Sequence, residues 1–180
     1  MNLLYFNLHS TNNYGYSPAN VDAIRHVPAN RGRNISLIAI MSLHQFANFN
    51  FIDGAYTGET FVEFLKDCSS KNVLRAGKYL IMDNTKIHHS RLVVEYLREN
   101  GLNVIFLPPY SPKLNQIEEG FSVRKGNFHK IRPLSTNLED IKKNVAHGLA
   151  SMNNINGDFT NFFTHMRLFV DQGTNREPFN

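Results

Sequence analysis

LIMDNTKIHHS (80–90) and IFLPPYSPKLNQIEEGFSVRK (105–125) decide how this chain is read. In the first stretch the apolar run Leu80-Ile81-Met82 reads as a short buried strand that ends directly on Asp83. In the second, Pro108, Pro109 and Pro112 stiffen the approach to a helix expected over about 114–130, with Leu114, Ile117 and Phe121 on one face. That helix carries Glu118 at the margin of its apolar face and turns Glu119 further outward. Thirty-four residues lie between Asp83 and Glu118. A carboxylate emerging from a buried strand is held rigidly, as metal ligands must be. Two such groups, on a strand end and a helix, can share divalent cations and promote attack on a phosphodiester. Each half also has a plainer reading. An isolated Asp-Asn pair is usually a strand-ending turn, and the helix dipole alone favours acids in a first turn.

Outward from these stretches the chain alternates. Leu3 to Phe6 reads as a strand, and residues 10–33, rich in Asn, Gly, Pro and Ser, as a long loop. Ile35 to Leu43 and Phe46 to Ile52 read as two strands joined by a turn near His44-Gln45. Thr57 to Thr60 has the pattern of a helix start, ahead of Phe61, Val62, Phe64 and Leu65. After Asp83, Ser90 is placed to cap a helix that stops at Asn100-Gly101, and Val104 to Leu107 forms the last strand. Leu138 to Met152 and Phe159 to Val170 supply two more helices. A meander followed by strand–helix units implies an α/β fold with a mixed sheet, antiparallel then parallel, flanked by helices. One domain is expected over 1–172, with 173–180 a frayed tail. In such sheets ligands gather at strand carboxyl ends, where Asn7 and Asp83 both fall.

Composition narrows the chemistry. A net charge of +4 and a pI near 9.2 permit a polyanionic partner without requiring one. Cys68 is the only cysteine, which excludes an internal disulfide and a cysteine-rich zinc site and fits an intracellular compartment. No apolar run approaches a membrane span, so no membrane partner is expected.

Together, DNTKIHHS and LPPYSPKLNQIEEGF resemble the catalytic core of mariner-like DDE transposases. Members of that superfamily carry a strand-terminal D-N-x-x-x-H and, further on, L-P-P-Y-S-P-x-L-N-P-I-E. Here the first is Asp83-Asn84 with His88, and the second runs from Leu107 to Glu118, at the spacing typical of the group. GYSPAN (15–20), RGRNISLIAIMSL (31–43) and FIDGAYTGETFVEFL (51–65) also look like that family, in the same order. The resemblance implies a ribonuclease-H-like fold and DNA strand cleavage and joining at transposon ends. It implies two Mg2+ or Mn2+ ions, with DNA at transposon ends and target as the partner, a homodimer as a candidate assembly and the nucleus as the site of action.

Two departures qualify what the resemblance implies. The family's first catalytic Asp ends the first strand, and by distance to GYSPAN that position holds Asn7. The implied catalytic and metal set is therefore Asn7, Asp83 and Glu118, with Asn7 a degenerate member that lacks the charge two close dications require. Asp22 and Asp53 are the nearest spare carboxylates. Secondly, the chain starts at the core's first strand, so the upstream helix-turn-helix readers are expected to be missing. Gln116 stands where proline is usual, and Lys113 where an acidic residue is common. Candidate phosphate contacts are Arg31, Arg33, Lys86, His88, Arg124, Lys125 and Lys130. A solvated basic face accounts for such clusters equally well. The competing reading is a non-catalytic remnant acting as a nucleic-acid-binding or assembly module. A ribonuclease-H-type nuclease would share the fold and metals but not the proline-rich motif.

Overall fold

Alternation along ISLIAIM sets the layers of the molecule. The computed structural model describes residues 2–7, 18–22, 34–109, 111–120, 138–154 and 159–175. Strands β1 (Asn2–Asn7), β2 (Asn34–Met41) and β3 (Phe46–Asp53) form an antiparallel ladder with β2 in the middle. On β2, Ile35, Leu37 and Ala39 enter one apolar core while Ile38 and Ile40 enter another. A strand buried on both faces needs helices on both sides.

One core joins β2 to helix α1 (Gly58–Ser70), strand β4 (Tyr79–Met82) and helix α2 (Arg91–Glu99). On α1 the buried residues Phe61, Phe64, Leu65 and Cys68 follow helical spacing. Each large apolar side chain so buried contributes about 1.5–3 kcal/mol. The capping box forms as the sequence implies. Thr60 N–H donates to Thr57 Oγ1 at 3.3 Å, and Thr57 N–H to Thr60 Oγ1 at 2.9 Å. Ser90 holds the N-cap position of α2, but its side chain makes no capping bond and its buried Oγ finds no partner among the described residues. The stop of α2 is as the sequence indicates. Gly101 has φ +62°, which a side chain rarely adopts, and a Cβ there would meet Ala76 at 3.3 Å.

The other core holds Ile117, Val145, Leu149 and Phe159 against β2 and Phe46 of β3. It is built by the described part of a helix, α3 (116–120), and by helices α4 (Leu138–Asn154) and α5 (Thr160–Thr174). Helix α5 runs to Thr174, two residues into the stretch 173–180 expected as a frayed tail.

Strand β5 (Asn103–Phe106) pairs parallel with β4, in the register Tyr79 with Asn103 through Met82 with Phe106. The mixed α/β architecture is as the sequence implies. Among the described residues its strands pair as two ladders, three antiparallel and two parallel, with the core around Ile38, Ile40, Leu80 and Met82 bridging them. The β2–β3 turn starts earlier than the sequence suggests, because Ser42 N–H donates to Gln45 O at 2.8 Å. Most of the loop 10–33, Tyr110, and the stretch expected to continue the helix beyond 120 lie outside the described residues. No described helix is long and apolar enough to cross a membrane.

Candidate active site

Parallel pairing brings two chain exits together. Leu107 N–H donates to Met82 O at 2.8 Å, so Asp83 and the proline-rich segment leave the sheet side by side. A 3-10 turn (Pro112–Leu114) and Asn115 then lead into α3. The helix thus starts at Gln116 rather than Leu114, because the prolines favour a tighter turn first. A cavity of about 400 Å³ results, lined by Asp83 and Glu118 together with Asn84, Thr85, Asn115 and the Leu107–Pro109 segment. The two carboxylates singled out in the sequence therefore face one space.

Asp83 is gripped on one oxygen. Its Oδ1 accepts from the Thr85 hydroxyl, from Thr85 N–H at 3.4 Å, and from His88 Nδ1 at 2.8 Å. Burial pushes the carboxyl upward, but the hydrogen bonds from His88 and Thr85 outweigh it and hold the group below its usual range. Asp83 is therefore ionised at neutral pH. His88 Nδ1 also lies 3.0 Å from the Asp83 carbonyl oxygen. Its ring is fully buried, 4.8 Å from that of Phe61 on α1. Nε2 is buried without a partner among the described residues. The contact between Nδ1 and the carboxylate is a hydrogen bond in which the ring N–H donates.

This burial corrects one expectation. His88 cannot reach a phosphate, since none of its ring is exposed. Lys86, on the same 3-10 turn (Lys86–His89), is exposed. His89 stacks on Phe106 with ring centroids 4.2 Å apart, and its Nε2 meets Asn84 Oδ1. Arg31, Arg33, Arg124, Lys125 and Lys130 lie outside the described residues.

Glu118 sits on the first turn of α3, where its N–H donates to Asn115 O at 3.0 Å. Its neighbours fix that turn from the opposite layer. Ile117 is buried in the α4–α5 core, Glu119 lies 3.2 Å from His165 Nδ1 of α5, and Lys113 rests 4.8 Å over the Phe169 ring. Gln116, standing where the family has proline, is buried and donates from Nε2 to Leu114 O at 3.0 Å. Thr85, Asn115 and His165 were not singled out in the sequence. Thr85 could have been found as a hydroxyl two residues after the acid; His165 carries no local signal, because its contact spans 46 residues.

Asn7 closes β1 opposite Asn34 in the register, at the strand end where the first acid was expected. Asp53 pairs with Ile35 near the same end of the ladder, but its carboxylate lies 2.9 Å from Lys142 Nζ of α4, so it is committed elsewhere. Asp22 is exposed within 18–22. Among the described residues no group of three or more His, Cys, Asp or Glu could hold a metal. Asp83 and Glu118 both line the cavity, and their carboxylates are hard oxygen donors of the kind Mg2+ and Mn2+ take.

The sequence profile of the DDE superfamily endonucleases matches residues 4–142, well over half of the chain. No curated protein sequence matches it. Among solved structures, the Mos1 strand transfer complex is similar with a TM-score of 0.77 at 12% identity, covering 99% of this chain and 54% of that one. The catalytic domain of Mos1 mariner transposase is similar with a TM-score of 0.63 at 13% identity, covering 82% of this chain and 77% of that one. The Mos1 paired-end complex with Mg matches with a TM-score of 0.71 at 12% identity, over 99% of this chain and 55% of that one. The chain thus spans about half the length of the full transposase chains it matches, and at these identities the likeness is one of fold. With the profile match over both carboxylate motifs, the chain belongs to the DDE superfamily endonucleases, and it shares its fold with the Mos1 transposase catalytic domain.

Proposed function

We propose that this chain is a transposase-derived DNA strand cleavage and joining domain, with Asp83 and Glu118 as its metal-binding carboxylates and Asn7 as a weakened third ligand. What supports the reading is that Asp83 and Glu118, far apart in sequence, line one cavity at the carboxyl ends of β4 and β5. A divalent cation held there would supply an activated water or 3′-hydroxyl and stabilise the leaving oxygen. The chain's own part is to hold an ionised Asp83 in place, to present Glu118 from a stiff turn, and to guide a phosphodiester past Lys86. Arg31, Arg33, Arg124, Lys125 and Lys130 complete the proposed backbone-binding set. The solved relatives are transposon-end complexes and a catalytic domain, some with Mg or Mn, and this chain is proposed to take the same partner and metals.

Asn7 sets the expected level of activity. An amide oxygen can ligate a cation but brings no charge, so occupancy by two dications is expected to be impaired. The same substitution favours a second reading, a remnant that binds DNA without cutting it. Cleavage of supercoiled DNA with Mg2+ or Mn2+, by the native chain beside Asn7→Asp, separates the two. Weak or absent native cleavage that rises in Asn7→Asp supports the metal site. No cleavage by either chain, with DNA affinity that falls steeply with salt, supports the binding module. Native cleavage that survives Asn7→Ala would remove Asn7 from the site.

A further inference from the structure

We infer that His88 is a positioning residue that fixes which oxygen of Asp83 is offered to a cation. The inference rests on the reading of Asp83 as a metal ligand and adds the hydrogen bond that holds it. Three donors, Thr85 N–H, Thr85 O–H and His88 Nδ1–H, converge on Oδ1, and among the described residues none engages Oδ2. A carboxylate pinned through one oxygen has its rotation arrested, leaving the other oxygen for the cavity that Asp83 lines.

The direction of the hydrogen bonds follows from the partners. Nδ1 lies 2.8 Å from a carboxylate oxygen and 3.0 Å from a backbone carbonyl, both of which can only accept, and 3.1 Å from the Thr85 hydroxyl, whose own proton goes to Asp83 Oδ1. Nδ1 must therefore carry the proton, and the ring is the Nδ1–H tautomer. That choice also suits Nε2, buried beside Phe61 with no partner among the described residues. As a bare acceptor it forgoes one hydrogen bond; as an N–H it would bury an unmatched donor.

The ring is thus clamped between hydrophobic core and carboxylate. Phe61 is itself wholly buried on α1, so the rotamer of His88 is set by the packing of that helix. The bracing of a metal-facing acid is thereby tied to the core behind β4. Outer-shell partners of this kind typically change metal affinity by about 10–100-fold when removed.

The test uses the full chain and two readouts. Long-range 1H–15N spectra of the native chain report the tautomer directly: an Nδ1–H ring with a slowly exchanging proton is expected, and an Nε2–H ring would overturn the assignment. Mn2+ binding, followed by the electron paramagnetic resonance of the free ion, is then compared across variants. His88→Leu is expected to bind about 10–100-fold more weakly. His88→Asn puts an amide N–H where Nδ1 lies and should stay within about threefold of native. Native affinity in His88→Leu, or an equal loss in both variants while both keep the native thermal midpoint, would defeat the positioning role. Thr85→Val, which removes the hydroxyl on the same oxygen, provides the comparison if His88→Leu does not fold, and it too should weaken Mn2+ binding. Asp83→Ala separates the two levels. Unchanged Mn2+ binding there rejects the metal reading itself and this role with it. Loss there without loss in His88→Leu or Thr85→Val rejects only the positioning.

Discussion

Asp83 and Glu118 face the same cavity, yet they are held there by different kinds of structure. Asp83 is braced by its own loop, through Thr85 and His88, with the α1 core behind the histidine. Glu118 sits on α3, whose position is set by another layer, through Ile117 in the α4–α5 core and the contacts of Glu119 and Lys113 with α5. The difference separates two ways of placing a carboxylate. One is made by hydrogen bonds within a few residues, backed by the α1 core. The other is borrowed from a distant helix, so it depends on the packing of the whole domain.

The largest effects should come from the cores that stand behind each arm. Phe61→Ala is expected to cost about 3–5 kcal/mol of unfolding free energy in urea, since the ring is wholly buried and supports His88. Ile117→Ala should cost about 2–5 kcal/mol in the same experiment. If the arms are independent, Phe61→Ala should disturb the Nδ1–H signal of His88 while Ile117→Ala leaves it intact. A shared loss would mean that the cavity responds as one unit.

A smaller, pH-dependent effect isolates the Asp83 arm. Because its folded carboxyl lies below the usual range, ionised Asp83 contributes stability that is present above its unfolded value, near 3.8. That contribution is lost as the pH falls through the lowered folded value. Asp83→Asn should therefore be less stable than native at neutral pH, with the gap closing on acidification. Urea titrations from pH ~6 to ~2 measure it, and a gap constant across that range would show that the Thr85 and His88 bonds do not favour the charged form.

The legibility of the two arms in the sequence follows from the same contrast. Asp83 was readable because an apolar run ending on an acid has a local consequence, and α1 and α2 because their apolar spacing and stops are local too. The pairing of the β4 and β5 exits could be inferred only through the order of elements. What His88 does was not readable: a histidine in a polar, basic loop looks exposed, and only tertiary packing against Phe61 buries it. The same holds for Asp53, whose partner Lys142 lies on another layer. Glu118 was found through its motif, but the α5 contacts that fix its turn have no sequence-local trace. Hydrogen bonds within a few residues leave a pattern, whereas contacts between layers leave none.

The smallest expected effect is the most discriminating for the Glu118 arm. His165 and Glu119 are both substantially exposed, at 52% and 40%, so their contact lies in a high-dielectric setting. Glu119→Gln or His165→Ala should therefore cost less than about 1 kcal/mol of global stability. The local consequence should be larger than the global one. Glu119 ties α3 to α5 through His165, and loosening that tie should speed amide exchange over residues 116–120. His88→Leu should leave those amides unchanged, because its contacts end in the α1 core. Faster exchange of 116–120 in His88→Leu, or none in His165→Ala, would mean that the two carboxylates are not separately supported. The distinction bears on function, because a turn tied to α5 can be shifted by whatever binds that helix, whereas Asp83 answers to its own loop and the α1 core behind it.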